Sequence, residues 1–196
     1  AWVMKNFEIN VTGGNRVDGT PAGDIMSGTA DNDYINGHGG DDTISGDSGN
    51  DAQLGETGND TLNGGTGTDY LYGGVDNDTL NGGADNDFLQ GGTGNDILFG
   101  NGGADLFIWG GGDADGSTDI IKDFNLAEGD KVDAKALLNA LGWNGNMGTL
   151  SQFVSVTGNT IDIHNAADTI SVNIVVEGQT FTALNDMITK TNFQTT

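Results

Sequence analysis

Cut every nine residues from Gly19, the sequence falls into ten units with no insertion or deletion: GTPAGDIMS, GTADNDYIN, GHGGDDTIS, GDSGNDAQL, GETGNDTLN, GGTGTDYLY, GGVDNDTLN, GGADNDFLQ, GGTGNDILF and GNGGADLFI. The first position is Gly in all ten. The sixth is Asp in all ten: Asp24, Asp33, Asp42, Asp51, Asp60, Asp69, Asp78, Asp87, Asp96 and Asp105. The eighth is apolar in nine: Met26, Ile35, Ile44, Leu62, Leu71, Leu80, Leu89, Leu98 and Phe107. The exception, Gln53, leaves Leu54 out of phase and puts the inward contact of the fourth unit in doubt. Composition alone would read this acidic, glycine-rich block as a disordered linker. A disordered tract has no reason to hold one phase over so many repeats.

Each unit reads as a turn followed by a short strand. Gly-x-x-x-x-Asp is turn chemistry, in which glycine permits positive φ and close backbone approach. The last three residues form a strand whose middle side chain points one way and whose flanks point the other. One turn and one strand cannot close on themselves, whereas two units make a full coil with a strand on each side. Coils stacked at the strand spacing of ~4.8 Å line the eighth positions into a thin core and the sixth-position Asp into two columns, one per edge.

Those columns set the chemistry. Two carboxylates ~4.8 Å apart repel by ~3.5 kcal/mol at an effective dielectric of ~20. Five coils leave about eight gaps between them, so the summed repulsion is of order 25 kcal/mol before screening. A hard cation between coils reverses the sign, because carboxylates and turn carbonyls are the oxygen ligands that calcium prefers. Magnesium fits worse, since it demands a tight octahedral shell and dehydrates reluctantly. About eight Ca²⁺ ions are therefore expected, which balances the 16 acidic residues of units 19–108.

The charge distribution agrees. The chain carries 29 acidic residues against 6 basic, a net charge of −23, and none of the Lys or Arg lies within 19–108. Such a chain is repelled by the polyanions DNA, RNA and acidic membrane surfaces, so no nucleic-acid partner is expected. The sequence has no Cys, which removes disulfides, thiolate metal sites and cysteine nucleophiles. No apolar run approaches the ~20 residues that span a bilayer, so no membrane insertion is expected. AWVMKNFEINV has no basic-then-apolar leader pattern.

The units, best seen in GGTGNDILF and GGADNDFLQ, resemble the GGxGxDxUx repeats of the RTX (repeats-in-toxin) proteins. That resemblance implies a right-handed parallel β-roll with calcium between successive turns, ligated by the sixth-position Asp and by carbonyls of the glycine-rich turn. It implies the ten Asp above as metal ligands. It is weaker at GTPAGDIMS, and at the His38 and Glu56 positions of GHGGDDTIS and GETGNDTLN. DIIKDFNLAEGDKVD (119–133) is similar to the strand-and-loop segment that follows such arrays and caps the roll. The uncleaved C-terminal segment of RTX proteins is a type I secretion signal read by an ABC exporter.

The expected fold is thus mainly all-β, with four parts: an N-terminal cap (1–18), the roll (19–108), a capping segment (109–149) and a β-rich secretion region (150–196). In the cap, VTGGNRVDG reads as a degenerate coil with Val17 inward. Downstream, Ile120, Ile121 and Phe124 read as a strand, and Asp133 as the N-cap of a helix AKALLNAL ended by Gly142. FVSVT, NTIDIH and TISVNIVVEG read as strands, and ALNDMITK as a final short helix. Asp123 and Asp130 are candidates for a further calcium site, although a capping role suits them better. DADGSTD (113–119) lacks the central Gly and closing Glu of an EF-hand loop.

No catalytic set is legible. HExxH and GxSxG are absent, and His38 and His164 stand in no nucleophile or zinc pattern. Trp2, Trp109 and Trp143 read as packing residues of the caps. The functional expectation is a non-enzymatic, monomeric calcium-binding module that folds outside the bacterial cell and serves a passenger upstream in the same chain. TDIIKDFNLAEGDKVDAKALL resembles the ends of large surface adhesins, ice-binding ones among them, and a secreted RTX enzyme or toxin is the alternative. A roll that itself bound ice would need an even row of Thr and Asn along one edge. Thr57/Asn59 and Thr93/Asn95 start such a row, and Pro21/Gly23, Gly39/Asp41 and Val75/Asn77 break it.

Overall fold

The computed structural model describes residues 14–165, 167 and 171–183. Two parallel sheets face each other across a thin core. The first carries β1 (Arg16–Asp18), β3 (Tyr34–Asn36), β5 (Ala52–Thr57), β7 (Tyr70–Val75), β9 (Phe88–Thr93), β11 (Leu106–Ile108) and β13 (Lys131–Asp133), in that spatial order. The second carries β2 (Ile25–Ser27), β4 (Thr43–Ser45), β6 (Thr61–Thr66), β8 (Thr79–Ala84), β10 (Ile97–Gly102) and β12 (Thr118–Ile121). Odd and even units therefore sit on opposite sides, and two units make one coil. Within the array each residue pairs with the one 18 positions on, as in Ile25↔Thr43, Thr43↔Thr61 and Thr61↔Thr79. That step is twice the nonapeptide, which is why the unit length sets the register of both sheets.

The eighth positions form the spine. Ile35, Leu62, Leu71, Leu80, Leu89, Leu98 and Phe107 have no exposed surface, and Ile44 has 1 %. Gln53 takes the same inward place, stacked between Ile35 and Leu71. It is fully buried, and its Nε2 donates to the carbonyl of Asn63 at 2.8 Å. The roll keeps its register there. Leu54 is buried on the other side of the strand.

The two outer faces differ, a feature the eighth-position pattern does not show. On the first sheet Asn36, Ala52, Leu54, Tyr70 and Gln90 are buried. On the second, Thr43, Thr61 and Asn63 are exposed. Units 3, 5 and 7 supply Thr, Ser and Asn outward, whereas the even-numbered ones supply Tyr34, Leu54, Tyr70, Tyr72 and Phe88 beside Asn36, Ala52 and Gln90.

The coil stack extends past 19–108 at both ends. Val17 pairs with Ile35 and packs against the core as the first rung. Beyond Phe107, β12 adds to β10 (Ile97↔Ile120) and β13 adds to β11 (Leu106↔Lys131), with Ile121 and Val132 fully buried in the spine. Here the step lengthens, because the loops 109–117 and 122–130 hold extra residues. Phe124 lies outside the strand expected for it, in the second of these loops, and packs on Phe107 with ring centroids 6.1 Å apart.

The remaining chain continues the second sheet. β16 (Ser171–Val176) adds parallel to β12, and β15 (Thr160–His164) and β14 (Val154–Thr157) follow antiparallel. α1 (Lys135–Ala140) buries Leu137 and Leu138. Its N-cap is Ala134 rather than Asp133, whose Oδ1 instead accepts the N–H of Lys135 at 3.0 Å. Gly142, at φ +100°, ends the helical segment as expected. A 3-10 helix spans Met147–Gln152. One hydrophobic cluster runs from Met26 through Trp109 and Trp143 to Phe181, so roll and cap share a core. Trp2 and nearly all of the helix expected at 183–190 lie outside the described residues.

Candidate metal centre

Each sixth-position Asp ends a turn and starts a strand, which aims its carboxylate back into the turn it closes. One oxygen is spoken for by the backbone. Asp24 N–H donates to Asp42 Oδ1, Asp33 to Asp51, Asp42 to Asp60, and so on along both edges, eight bonds of 2.7–2.9 Å. Each carboxylate thus ties its own coil to the preceding one.

The second oxygen divides the ladder. In Asp42, Asp51, Asp60, Asp69, Asp78, Asp87, Asp96 and Asp105, Oδ2 is buried and has no hydrogen-bond partner. Such an acceptor left bare costs ~1–3 kcal/mol, and more when charged. These oxygens lie against the first-position glycine of their own turn. A Cβ built on Gly55, Gly64 or Gly73 would come under 3.0 Å from the Asp Oδ2 and also from the carbonyl oxygen of the next coil's glycine. That crowding is why the first position is glycine at every turn of this kind. It also puts carboxylate and carbonyl oxygens side by side, an all-oxygen donor set of the kind a hard cation takes.

Burial raises these acids. Asp51, Asp60, Asp96 and Asp105 are pushed up to about 6, Asp69 to about 7, and Asp78 and Asp87 to about 8. Desolvation is the main cause in each, and neighbouring carboxylates of the ladder add to it. A divalent cation between the coils removes that penalty by favouring the charged form. Among the described residues no three acidic or imidazole side chains converge on one point. An ion here would take carboxylate oxygens from the ladder and carbonyls from the turns.

The ends of the ladder are built otherwise. Asp24 Oδ2 accepts from Thr20 N–H at 2.7 Å and from the Thr20 hydroxyl at 2.8 Å. Asp33 Oδ2 accepts the same pair from Thr29. Burial pushes Asp33 up, yet the N–H groups of Asn15 and Thr29 and the Thr29 hydroxyl outweigh it and hold this acid below its ordinary value. At the far end, Asp96 N–H donates to Asp119 Oδ1 at 3.1 Å and Asp105 N–H to Asp130 Oδ1 at 3.0 Å, so both carboxylates continue the ladder. Their second oxygens accept from Trp109 Nε1 and from Asn125 N–H, both at 2.7 Å. Asp123 stands outside the ladder and caps the tenth turn, accepting from Gly100 N–H and Asn101 N–H.

Asp119 was not among the residues singled out from sequence. The clue is Asp119-Ile120-Ile121, the same Asp-x-apolar triplet that ends each repeat, as is Asp130-Lys131-Val132. Both are displaced by steps of 23 and 25 in place of 18, which hides them from a nine-residue frame.

Other acidic and histidine groups among the described residues have partners of their own. Asp113 accepts from Gly110 N–H and Gln90 Nε2, and Asp115 from Gly94 N–H and Ser117 N–H, so the 113–119 loop is buttoned onto the roll. Asp162 Oδ2 stands between the Ser155 hydroxyl (3.2 Å) and His164 Nδ1 (3.3 Å). A serine nucleophile needs the imidazole beside its hydroxyl, and here the carboxylate is in the middle. His38 is exposed, 3.8 Å from Asp18.

Comparison with known proteins identifies the repeats. The family model described as the RTX calcium-binding nonapeptide repeat (4 copies) matches residues 18–52, 54–89, 72–107 and 81–116, together half of the chain. A search of curated proteins finds no match. Among solved structures, the solution structure of the AlgE6R3 subunit from the Azotobacter vinelandii mannuronan C5-epimerase is similar, at 20% identity over 90% of this chain and 80% of that one, with a TM-score of 0.34. The repeats, the parallel coils and the carboxylate ladder place this chain in the family of RTX calcium-binding nonapeptide repeat proteins.

Proposed function

We propose that this RTX module is a calcium-triggered folding unit of a large exported bacterial protein, with calcium held between coils by the sixth-position Asp and the turn carbonyls. The observation that carries the reading is the set of bare, buried carboxylate oxygens, Asp42 to Asp105. Eight such groups at ~1–3 kcal/mol each exceed or match the whole stability of an ordinary domain. Without cation the roll is not worth forming. At the sub-micromolar free calcium of bacterial cytoplasm the acidic chain stays loose. At millimolar calcium outside, sites of ~10⁻⁴–10⁻³ M affinity fill, and each adds RT ln(1 + [Ca]/Kd) to the folded state. RTX calcium-binding repeats are typical of extracellular proteins, and no helix among the described residues is long and apolar enough to cross a membrane.

The export part of the proposal assigns residues 150–196 to a type I secretion signal read by an ABC exporter. Folding outside the cell would then disfavour back-sliding and seed the passenger. The resemblance of residues 118–138 to the ends of surface adhesins supports an adhesin as that passenger, the capped ends of the coil stack support a monomer, and the lack of a legible catalytic motif supports a non-enzymatic module.

Far-ultraviolet circular dichroism of the chain, titrated with calcium from excess chelator at pH 7.5, tests the folding reading. A cooperative rise of β signal between micromolar and millimolar calcium is expected. A roll already complete in chelator would sink the proposal. For export, a reporter fused ahead of the chain should reach the medium of cells carrying a type I exporter and stay inside when residues 150–196 are deleted.

A further inference from the structure

The turns of the roll come in two kinds. In the eight whose Asp has a bare Oδ2, the second residue of the unit is left-handed: His38, Asp47, Glu56, Gly65, Gly74, Gly83, Gly92 and Asn101, with φ between 66° and 127°. The fourth residue of those units is left-handed too, as at Gly40, Gly67 and Asp85. In the first two units neither position is left-handed. Thr20 and Thr29 stand second, and Ala22 and Asp31 fourth. A β-branched residue is a poor occupant of positive φ, so threonine selects the other turn. In that turn the threonine N–H and hydroxyl both donate to the carboxylate oxygen that is bare elsewhere.

We propose that Thr20 and Thr29 are internal plugs that take the place of a cation in the first two turns. The ion columns of the roll therefore run from Asp42 and Asp51 to Asp96 and Asp105 and exclude Asp24 and Asp33. The inference rests on the calcium reading above and sharpens it. An oxygen that already accepts two hydrogen bonds has little lone-pair density left for a metal. The inward N–H also presents the positive end of its dipole where the ion would sit. The same logic closes the far end, where Trp109 Nε1 and Asn125 N–H fill the second oxygens of Asp119 and Asp130. Both ends of the column are sealed by protein donors, so the terminal coils hold their carboxylates without metal and calcium is confined to the eight turns between.

The test is the number of calcium ions retained by the full chain in native mass spectrometry after calcium saturation. The unaltered chain gives the reference count. Asp24→Asn and Asp33→Asn should leave the count unchanged, and Asp69→Asn should lower it by at least one. The double variant Thr29→Gly with Asp31→Gly, which gives the second turn the two glycines of the later ones, should gain one ion. Thr29→Ser keeps the hydroxyl and should hold the reference count. Loss of an ion in Asp24→Asn or Asp33→Asn would overturn the plug while leaving the calcium reading intact. A chain that retains no calcium would remove the calcium reading itself. The asparagine variants keep size and shape, so the answer stands even if the double-glycine variant fails to fold.

Discussion

Asp78→Asn at the middle of the ladder should change sign with calcium. Asp78 is 1 % exposed, and its Oδ2 has no partner. In the metal-free roll burial raises it from 3.8 to about 8, helped by Asp96 and Asp60. At pH 7.5 the unfolded chain carries this group ionised while the metal-free roll must protonate it. Taken with its coupling to the neighbouring carboxylates, that shift is a penalty of about 2–5 kcal/mol. Asparagine carries no such penalty and keeps the Oδ1 that accepts Asp60 N–H at 2.8 Å. The variant should therefore stabilise the metal-free roll by about 2–5 kcal/mol. With calcium at ten to a hundred times the site Kd, loss of one ion costs about 1.4–2.7 kcal/mol, or about 3–10 °C in Tm for a chain of this size. The metal-free arm is read by circular dichroism in trimethylamine N-oxide, which strengthens burial and draws the roll together without metal. Asp78→Asn should need less of it. The calcium arm is a thermal melt at 10 mM calcium, where Asp78→Asn should melt lower. The same sign in both arms would refute the claim that this carboxylate is strained without metal and satisfied with it.

Acidification should favour the metal-free roll. The folded values of Asp69, Asp78 and Asp87 lie above their unfolded value, so the folded state binds more protons. Stability then rises as the pH falls from about 8 toward 4, where the unfolded carboxylates protonate too. The trimethylamine N-oxide midpoint should drop between pH 7.5 and 5.5 in the absence of metal. In calcium the trend should reverse, because protons compete for the ligand oxygens. A midpoint that rises on acidification without metal would contradict the burial argument. Gly64→Ala should destabilise the calcium-loaded roll by about 3 kcal/mol or more in urea unfolding, since its Cβ meets Asp69 Oδ2 and the Gly82 carbonyl. Gly102→Ala meets nothing within 4 Å and should stay within about 0.5 kcal/mol. Equal effects at the two glycines would show that backbone entropy, not crowding, sets their place.

The parts of the roll that repeat were legible because one chemical constraint recurs at every turn. Gly at the first position, Asp at the sixth and an apolar eighth each answer a local demand, and together they gave coil length, register and spine. What broke the frame was misread in proportion. Gln53 looked like a defect, yet the strands on either side hold it inward and its amide finds the Asn63 carbonyl. Asp119 lay outside the nine-residue phase and was missed, although it continues the ladder. Asp123 and Asp130, for which capping suited better than a further calcium site, part: Asp123 is indeed a cap and Asp130 a rung. Asp24 and Asp33 match the motif letter for letter at the sixth position, and only the threonine four residues before each sets them apart.

From the sequence alone, the nine-residue period and its acid could be followed to stacked parallel coils with anionic columns, since both are properties of neighbours along the chain. Which carboxylate oxygens are left bare is not such a property. It depends on the backbone conformation of each turn, which lets Thr20 and Thr29 donate to Asp24 and Asp33 four residues on, and on whether the closing loops reach an oxygen, as Trp109 reaches Asp119 across ten residues. Only the folded arrangement of coils and caps brings those donors within hydrogen-bond distance, and so only the tertiary structure separates the turns whose second carboxylate oxygen is bare from those where a donor covers it.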